Sequence, residues 1–316
     1  MKGLDLAERY FETYGRPMLT EKFPHLIGHL AAGLCGSGSE CLGYDDDVSR
    51  DHDFEPGFCL FLPGEDVVSR RDAFLLERAY AALPWEFMGL RRGLMAPVGG
   101  PRRGVIRTKE FFREKVGAPD GVLTLGQWLT VPEQALKEAT NGRIFFDGRG
   151  EVTRIRAGLE KYPDDVFRKR LAGSLLLMAQ SGQYNYRRCL EHGEKAAAQL
   201  AVTVFVKNAM RASFLLSGVY MPYYKWAFRA LRELDGMGLT AEVMEYLITT
   251  DNEEGNAGEK ADVIEGIASD MIGLLTERGL TRAVCGDLEK HAYAVNDTIA
   301  DPTLRSGSIL MAVRED

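Results

Sequence analysis

The amino-acid sequence predicts an α+β protein, in which a mixed α/β domain with a small sheet is followed by a helical bundle. Short apolar runs bounded by glycine and proline, typical of strands, occur before residue 158. From Asp164 onward, apolar residues recur with the 3.6-residue period of a helix. At 316 residues and 45% hydrophobic, the chain is long enough for two cores, and we predict domains at 1–158 and 159–316.

The first half begins with helical spacing from Leu4 to Thr13, and Gly15-Arg16-Pro17 is expected to end that helix. Ala31 to Cys35 has the character of a buried strand, and it leads into a glycine-rich turn at Gly36-Ser-Gly-Ser39. Phe54 to Leu62 is predicted to be a bent second strand because Pro56-Gly57 interrupts it.

Three more segments complete the first half. Residues 66 to 83 have helical spacing, and Val105 to Thr108 is a candidate for a short third strand. Ile144 to Asp147 and Val152 to Ile155 flank Gly148-Arg149-Gly150, which favours a hairpin or a strand leaving the domain.

The second half is predicted to be a helix bundle. Its apolar residues at i+4 spacing begin with Phe167, Leu171 and Leu175. Further helical stretches follow at Tyr224 to Leu234, Ala241 to Leu247 and Ala261 to Leu275.

Bulk composition predicts a folded protein of the reduced cytoplasm. The five cysteines form no C-x-x-C pair of the kind that zinc or redox sites use. No run of about 18 apolar residues occurs, and the N-terminus lacks the order of a signal peptide. These features predict no membrane partner.

Charge is distributed unevenly along the acidic chain. The net charge of −7 would repel a polyanion and argues against a general nucleic-acid binder. Residues 40–66 hold nine acidic side chains and one arginine, whereas residues 91–113 hold seven Lys/Arg and one acid, Glu110. Opposed patches of this kind suit a metal site facing an anionic substrate, although two solvated loops of opposite sign would give the same pattern.

The chemistry-bearing stretch runs from the glycine-rich turn to Asp51-His52-Asp53. A strand running into Gly36-Ser-Gly-Ser39 lets backbone amides approach phosphate oxygens, and the Ser39 hydroxyl adds a donor. If Asp51 begins a strand, both carboxylates of the triplet lie on one face, about 7 Å apart along the chain. Two converging carboxylates need a cation, and Mg²⁺ prefers such oxygen ligands.

Gly38-Ser39 followed by Ser49-Arg-Asp51-His-Asp53 resembles the G-S…D-x-D signature of the polymerase-beta-like nucleotidyltransferase superfamily, which includes the aminoglycoside and lincosamide nucleotidyltransferases. Within it, the sequence is similar to the bacterial family called domain of unknown function 4037. The residues that carry this closer resemblance are Gly38 to Phe54, Ile144 to Asp147, Tyr162-Pro163, Gln183-Tyr-Asn185 and Tyr223-Tyr-Lys-Trp226.

The resemblance implies a nucleotidyltransferase-type first domain that binds a nucleoside triphosphate. Gly38 and Ser39 would contact the triphosphate, with Ser49 and Arg50 as further nucleotide-binding candidates, and Asp51 and Asp53 would bind Mg²⁺ or Mn²⁺ and carry catalysis. The superfamily usually supplies a third carboxylate from a later strand, but Gly104 to Thr108 contains no acid. Glu110 or Asp147 is the candidate replacement.

Two features of the second half have alternative interpretations. Lys225, within Tyr223-Tyr-Lys-Trp226, is a candidate phosphate ligand beside an aromatic surface for a base or an acceptor, or else it snorkels from an aromatic core patch. Arg187 and His192 have the R-x₄-H spacing of the ribonuclease motif in HEPN helical domains, or they lie on a solvated helix face.

Three functional hypotheses follow. In the first, the protein is an ATP- or other NTP-dependent enzyme that transfers a nucleoside monophosphate to a small-molecule, protein or RNA acceptor in a cleft between the domains, with release of pyrophosphate. In the second, it binds nucleotide without turnover because the third acid is missing. In the third, the helical domain is a ribonuclease.

Overall fold

The computed structural model describes residues 1–48, 54–92 and 103–313, and only the backbone at 238–239. The chain divides into two compact units, of which unit 1 comprises residues 1–124 and 131–160, and unit 2 comprises residues 125–130 and 161–316. The α+β class is confirmed, because the strands of the described residues lie in the first half and the second half is helical.

Residues 1–160 form short elements. They are α1 (Gly3–Tyr10), a π-helix (Phe11–Gly15), α2 (Arg16–Lys22), β1 (Ala31–Leu34), α3 (Ser39–Leu42), β2 (Cys59–Leu62), α4 (Arg70–Ala81), β3 (Glu86–Phe87), β4 (Leu90–Arg91), β5 (Gly104–Arg107), α5 (Thr108–Val116), α6 (Leu125–Thr130), α7 (Glu133–Thr140), β6 (Arg143–Asp147) and α8 (Glu151–Leu159). The three predicted strands near residues 31, 59 and 105 are thus confirmed. The first two are shorter than predicted, and the third begins one residue earlier.

The main sheet of unit 1 has the strand order β5-β2-β1-β6. β1 is antiparallel to both β2 and β6, and β2 is parallel to β5. All residues of β1 and β2 are buried, which explains why these central strands have continuous apolar runs rather than alternating ones. Aromatic rings of α1 and the following π-helix, Tyr10 and Phe11, pack against Phe58 at the start of β2.

The predicted end of the first helix at Gly15-Arg16-Pro17 is wrong. The chain stays helical from Gly3 to Lys22 because a π-helix at Phe11–Gly15 connects α1 to α2. Pro17 lies in the first turn of α2, where its missing N–H costs little, and the wider π-turn accommodates the ring. Gly15 is also tightly packed, since a Cβ there would lie 2.6 Å from the Phe58 ring.

The predicted hairpin at residues 144–155 is also wrong in its second half. β6 ends at Asp147, and the chain then enters α8 at Glu151. The Asp147 carboxylate accepts hydrogen bonds from the Thr153 backbone N–H at 2.8 Å and from its hydroxyl at 2.9 Å. These bonds satisfy a first-turn amide of the helix, so Val152 to Ile155 is helical despite its β-branched residues.

Unit 2 is a helical assembly around α9. Its elements from residue 161 onward are α9 (Asp164–Met178), a π-helix (Ala179–Tyr186), α10 (Arg187–Glu191), α11 (Lys195–Leu216), α12 (Tyr224–Arg232), α13 (Gly238–Thr249), α14 (Glu254–Glu277), α15 (Leu288–Asp297) and α16 (Pro302–Ser306). α9 packs against α11 and α15. Most of its residues from Val166 to Met178 are buried, as is typical of a central core helix.

α6 belongs to unit 2 although it precedes residue 158. It packs on α9, whose Arg170 guanidinium donates hydrogen bonds to the carbonyls of Trp128 and Leu129 at 3.0 and 3.3 Å. The Trp128 ring lies 5.7 Å from that of Tyr162. Within the described parts of the chain, no helix is long and apolar enough to cross a membrane.

Candidate functional site

Three strands of unit 1 meet at one edge of the sheet. Gly33 of β1 pairs with Cys59 of β2, and Cys59 pairs with Gly104 of β5. The end of β1 therefore lies beside the starts of β2 and β5. The glycine-rich turn Gly36–Ser39 leaves β1 here, and we call this region, comprising residues 35–39 and the starts of β2 and β5, the glycine edge.

The turn is fixed by Asn141, which follows α7. The Asn141 amide donates to the Gly36 carbonyl at 2.8 Å and accepts from the Gly36 N–H at 2.9 Å, and all three groups are buried. Arg156 donates to the carbonyl of Asn141 at 2.6 Å, and Gly142 is so close to the Leu34 carbonyl that a Cβ would collide with it. The glycine turn is thus anchored by residues more than a hundred positions away.

The remainder of the turn presents unpaired amides. Across residues 1–48, 54–92 and 103–313, no acceptor receives a hydrogen bond from the backbone N–H of Ser37, Gly38 or Ser39. Gly38 has a φ of 120°, which glycine adopts readily and other residues do not. Successive unpaired N–H groups in a turn form a concavity that suits an anion.

An arginine and two carboxylates lie beside the turn. Arg103, immediately before β5, contacts Glu40 at 3.3 Å and Glu55 at 3.5 Å. The side chains of Arg103 and Glu40 are only 7% and 6% exposed, whereas that of Glu55 is 25% exposed. One cation therefore contacts two carboxylates, and Glu55 is the more accessible of the two.

A cavity of about 150 Å³ opens along the glycine edge. Its walls include Gly36, Ser37, Arg103 and, from α5, Glu114 and Lys115. This volume is well below the roughly 300 Å³ or more of typical small-molecule sites and suits a phosphate-sized group.

Lys115 lies beside the glycine turn. Its Cε lies 3.8 Å from where a Cβ on Gly36 would be, and its ammonium group contacts Glu138 at 2.9 Å and Glu114 at 3.6 Å. Burial alone would lower the pKa of Lys115, but the hydrogen bond and charge of Glu138, with those of Glu114, raise it above the usual value. Lys115 is therefore cationic at neutral pH, and an ammonium group has three donors to share.

The cysteines of the glycine edge are unsuited to nucleophilic chemistry. Burial raises the pKa of Cys35 to about 12 and that of Cys59 to about 11, so both are neutral thiols at pH 7. The thiolate is the reactive form of cysteine. Both side chains line the cavity and act there as small apolar residues.

Most of the residues predicted to bind metal and nucleotide lie outside the described residues: Ser49, Arg50, Asp51 and Asp53. Gly38 and Ser39 are at the glycine edge, as the N-cap and first residue of α3. In the described residues, no group of three His, Cys, Asp or Glu side chains is arranged to hold a metal ion. A metal at this edge would therefore depend on Asp51 and Asp53.

The two candidates for a third carboxylate lie elsewhere. Asp147 pairs with Ala31 at the beginning of β1, the end opposite the glycine turn, and its carboxylate caps α8. Glu110 is exposed in the first turn of α5 and does not line the cavity, whereas Glu114, one turn later, does. The structure thus brings Glu55 and Glu114, but not Glu110, to the glycine edge.

The acidic triplet Asp45 to Asp47 is not a uniformly solvated loop. Asp46 and Asp47 are exposed, but Asp45 is buried, and its carboxylate accepts a hydrogen bond from the Gly3 N–H at 3.0 Å, at the start of α1. Lys2 contacts the Asp45 carbonyl at 2.7 Å. Asp45 therefore ties the first helix to the segment that follows α3.

The candidate residues of unit 2 are on its surface. Lys225 is exposed in the first turn of α12, with its ammonium 5.2 Å from the Trp226 ring centroid. Tyr223 and Tyr224 are 47% and 75% exposed, so they do not form a core patch. Arg187 and His192 are exposed at the two ends of α10, as expected for a solvated face.

Sequence reasoning missed Asn141, Arg103 as an ion-pair centre, Glu55 and Lys115. Glu55 could have been predicted from the strand-like segment before Cys59. Acidic residues occur at every second position there, at Asp51, Asp53 and Glu55. Asn141 followed by Gly142 gave a turn signal but no partner. Lys115 lies two residues beyond the basic stretch 91–113.

Comparison with known proteins gives a family match for part of the chain. A crystal structure of a nucleotidyltransferase-like protein from Exiguobacterium sibiricum 255-15 is similar at 14% identity and a TM-score of 0.37, with 93% of this chain and 81% of that chain covered. No curated protein matches. Residues 128–227 match the family model described as Domain of unknown function (DUF4037). That stretch includes Asn141, Gln183-Tyr-Asn185 and Tyr223 to Trp226, and over it the predicted resemblance to the DUF4037 family is confirmed.

Proposed function

We propose that this protein transfers a nucleoside monophosphate from a nucleoside triphosphate to an acceptor, with release of pyrophosphate, at the glycine edge. The observation that carries the proposal is the anchored glycine turn, in which the amides of Ser37, Gly38 and Ser39 have no acceptor within the part of the chain that the structure describes. These amides, with the ammonium group of Lys115 beside them, are suited to phosphate oxygens. The D-x-D pair Asp51 and Asp53 precedes β2, whose start lies at the same edge.

The reaction is an in-line displacement at the α-phosphorus. An acceptor oxygen forms a bond to this phosphorus, the bond to the bridging oxygen of the β-phosphate breaks, and the acceptor proton passes to a base. Asp51 and Asp53 would hold Mg²⁺, for which an all-oxygen donor set fits. The ion would neutralise phosphate charge and lower the pKa of the attacking hydroxyl.

The chain's own groups have distinct roles in this scheme. The amides of the glycine turn bind and orient phosphate oxygens, and Lys115 offsets negative charge on the leaving pyrophosphate. Glu55 is our candidate for the base, because it is the accessible carboxylate of the pair on Arg103. Arg103, which contacts Glu55 at 3.5 Å, would position that carboxylate.

The test is calorimetric titration of ATP, GTP, CTP and UTP, with and without Mg²⁺. We expect Mg²⁺-dependent binding of at least one triphosphate, which Asp51→Asn/Asp53→Asn reduces by at least tenfold. Asp46→Asn/Asp47→Asn is the matched control, because it removes two exposed carboxylates from the same acidic stretch. Equal losses in both variants would mean that only the overall charge matters and would contradict the site.

A second function, nucleotide binding without transfer, is favoured by one observation. β5 contains no acidic residue, so the third carboxylate of the superfamily is absent from its usual strand. Pyrophosphate release in the presence of small alcohols, peptides and RNA distinguishes the two functions. Release that Glu55→Gln abolishes, while triphosphate binding persists, supports transfer. Binding without release from any acceptor class supports the second function.

A further inference from the structure

The start of α12 exposes two aromatic side chains, those of Tyr223 and Tyr224. The rings of Tyr223 and Tyr224 lie 4.3 Å apart, centroid to centroid, at 49°. Tyr224 is 75% exposed, so its ring is not at the bottom of a concave pocket. Pro222 before the pair is buried and restricts the backbone there. The pair is thus an exposed aromatic surface, and tyrosine is enriched at binding interfaces because its ring is apolar and its hydroxyl is polar.

The sequence on both sides of this aromatic pair is rich in cationic residues. Residues 207–232 contain five Lys/Arg and no Asp/Glu, although the whole chain has a charge of −7. Lys225 is exposed and has no carboxylate partner in the described residues. Arg229 and Arg232, further along α12, are paired with Glu233 and Glu245. Lys225, next to the tyrosines, is therefore the cation of α12 that has no carboxylate partner within the described residues.

We propose that Tyr223, Tyr224 and Lys225 form a binding surface for single-stranded nucleic acid, with RNA as the ligand. Aromatic side chains stack on bases of any sequence, and a neighbouring cation pairs with the backbone phosphate. A free mononucleotide would need a concave site to bury most of its surface, whereas a strand gains affinity by contacting an exposed surface at several units. This inference goes beyond the proposed transfer reaction and does not depend on it.

The overall charge of the chain limits the affinity but does not oppose this surface. Screening at physiological salt restricts exposed charges to a range of about 8 Å, so distant acids contribute little at α12. Stacking is less dependent on salt than phosphate pairing. We therefore expect a shallow dependence of affinity on salt, corresponding to about one ion pair.

The experiment measures fluorescence anisotropy of labelled twelve-nucleotide oligo(U) RNA with the full chain, without Mg²⁺ or nucleoside triphosphate. Tyr223→Ala/Tyr224→Ala should weaken binding by about tenfold or more, because stacking contributes roughly 1–3 kcal/mol per base. Lys225→Gln should lower the salt slope by about 1. Tyr293→Ala is the matched control, since Tyr293 is 48% exposed on α15 of the same unit, and it should bind like the wild type.

Several outcomes would overturn the proposal. They are no RNA binding, an unchanged affinity in the double tyrosine variant, displacement of RNA by inorganic polyphosphate as effectively as by unlabelled RNA, and equal binding to vesicles of anionic phospholipid. Asp51→Asn/Asp53→Asn should retain RNA binding. Failure of nucleotide binding and failure of this surface are therefore distinguishable.

Discussion

At the scale of single residues, Gly38 is constrained by both conformation and space. Its φ is 120°, and a Cβ there would lie 2.6 Å from the Glu40 carboxylate, which is buried against Arg103. Gly38→Ala should therefore strain the backbone by about 1–3 kcal/mol, disturb the ion pair and abolish triphosphate binding. Urea unfolding and calorimetric titration measure the two effects.

Gly43→Ala is the control for this prediction. Gly43 also has a positive φ, 74°, but a Cβ there meets open space. It should cost about 1–2 kcal/mol and retain nucleotide binding. If both variants bound triphosphate equally well, the conformation of Gly38 would have no role in the site.

The buried thiols predict how stability depends on alkaline pH. Because burial raises the pKa of Cys35 to about 12 and of Cys59 to about 11, the folded protein keeps protons that the unfolded chain loses above about pH 9. Their contribution is complete below pH 9 and falls as pH rises toward the folded pKa values. Each thiol should lower the free energy of unfolding by about 1.4 kcal/mol per pH unit in that window.

Urea unfolding at pH 8.5 and pH 10 measures this slope. In the Cys35→Ala/Cys59→Ala variant, the free energy of unfolding should depend less steeply on pH across that interval than in the wild type. Any loss of packing by the alanines lowers the stability at both pH values and does not change this slope. A wild-type slope in the double variant would show that these thiols ionise normally.

At the scale of elements, the connection between α7 and β6 holds the glycine turn after β1. Asn141→Ala removes a donor and an acceptor and leaves the buried N–H and carbonyl of Gly36 without partners. An unsatisfied buried polar group costs about 1–3 kcal/mol, so we expect a loss of about 2–5 kcal/mol in urea unfolding.

Asn141→Asp gives a sharper comparison, because it retains an acceptor for the Gly36 N–H but offers no donor to the Gly36 carbonyl. Its stability should lie between those of the wild type and the alanine variant near neutral pH. Thr140→Ala, adjacent on α7, is the matched control, because its hydroxyl donates only within its own helix, to the Leu136 carbonyl. A loss in Thr140→Ala as large as that in Asn141→Ala would contradict the anchoring role.

At the scale of the whole molecule, charge and chemistry are divided between the two units. The acidic residues 40–66 and the glycine edge are in unit 1, and the acid-free stretch 207–232 is in unit 2. The assignment of α6 to unit 2 shows that the division is not a single cut in the chain. Each proposed binding function therefore belongs to one unit and can be removed by mutation without altering the other.

Structural features that depend on residues close together along the chain could be predicted from the sequence. Apolar periodicity predicted the helical second half, and glycine after an apolar run predicted β1 and its turn, because hydrogen bonds in helices and turns join residues a few positions apart. The same local reasoning failed at Pro17 and at Val152. A π-turn before the first and the Asp147 side chain before the second changed the outcome.

The side chains that lie around the glycine turn are brought there by the tertiary fold. Asn141 bonds to Gly36 across 105 positions, and Arg103 contacts Glu40 across 63. Such partners have no periodic signal in one sequence, because they are selected by the packing of strands and helices that are distant along the chain. The glycine-rich motif could therefore be predicted from the sequence. The positions of Asn141, Lys115 and Glu55 beside it could be found only from the fold.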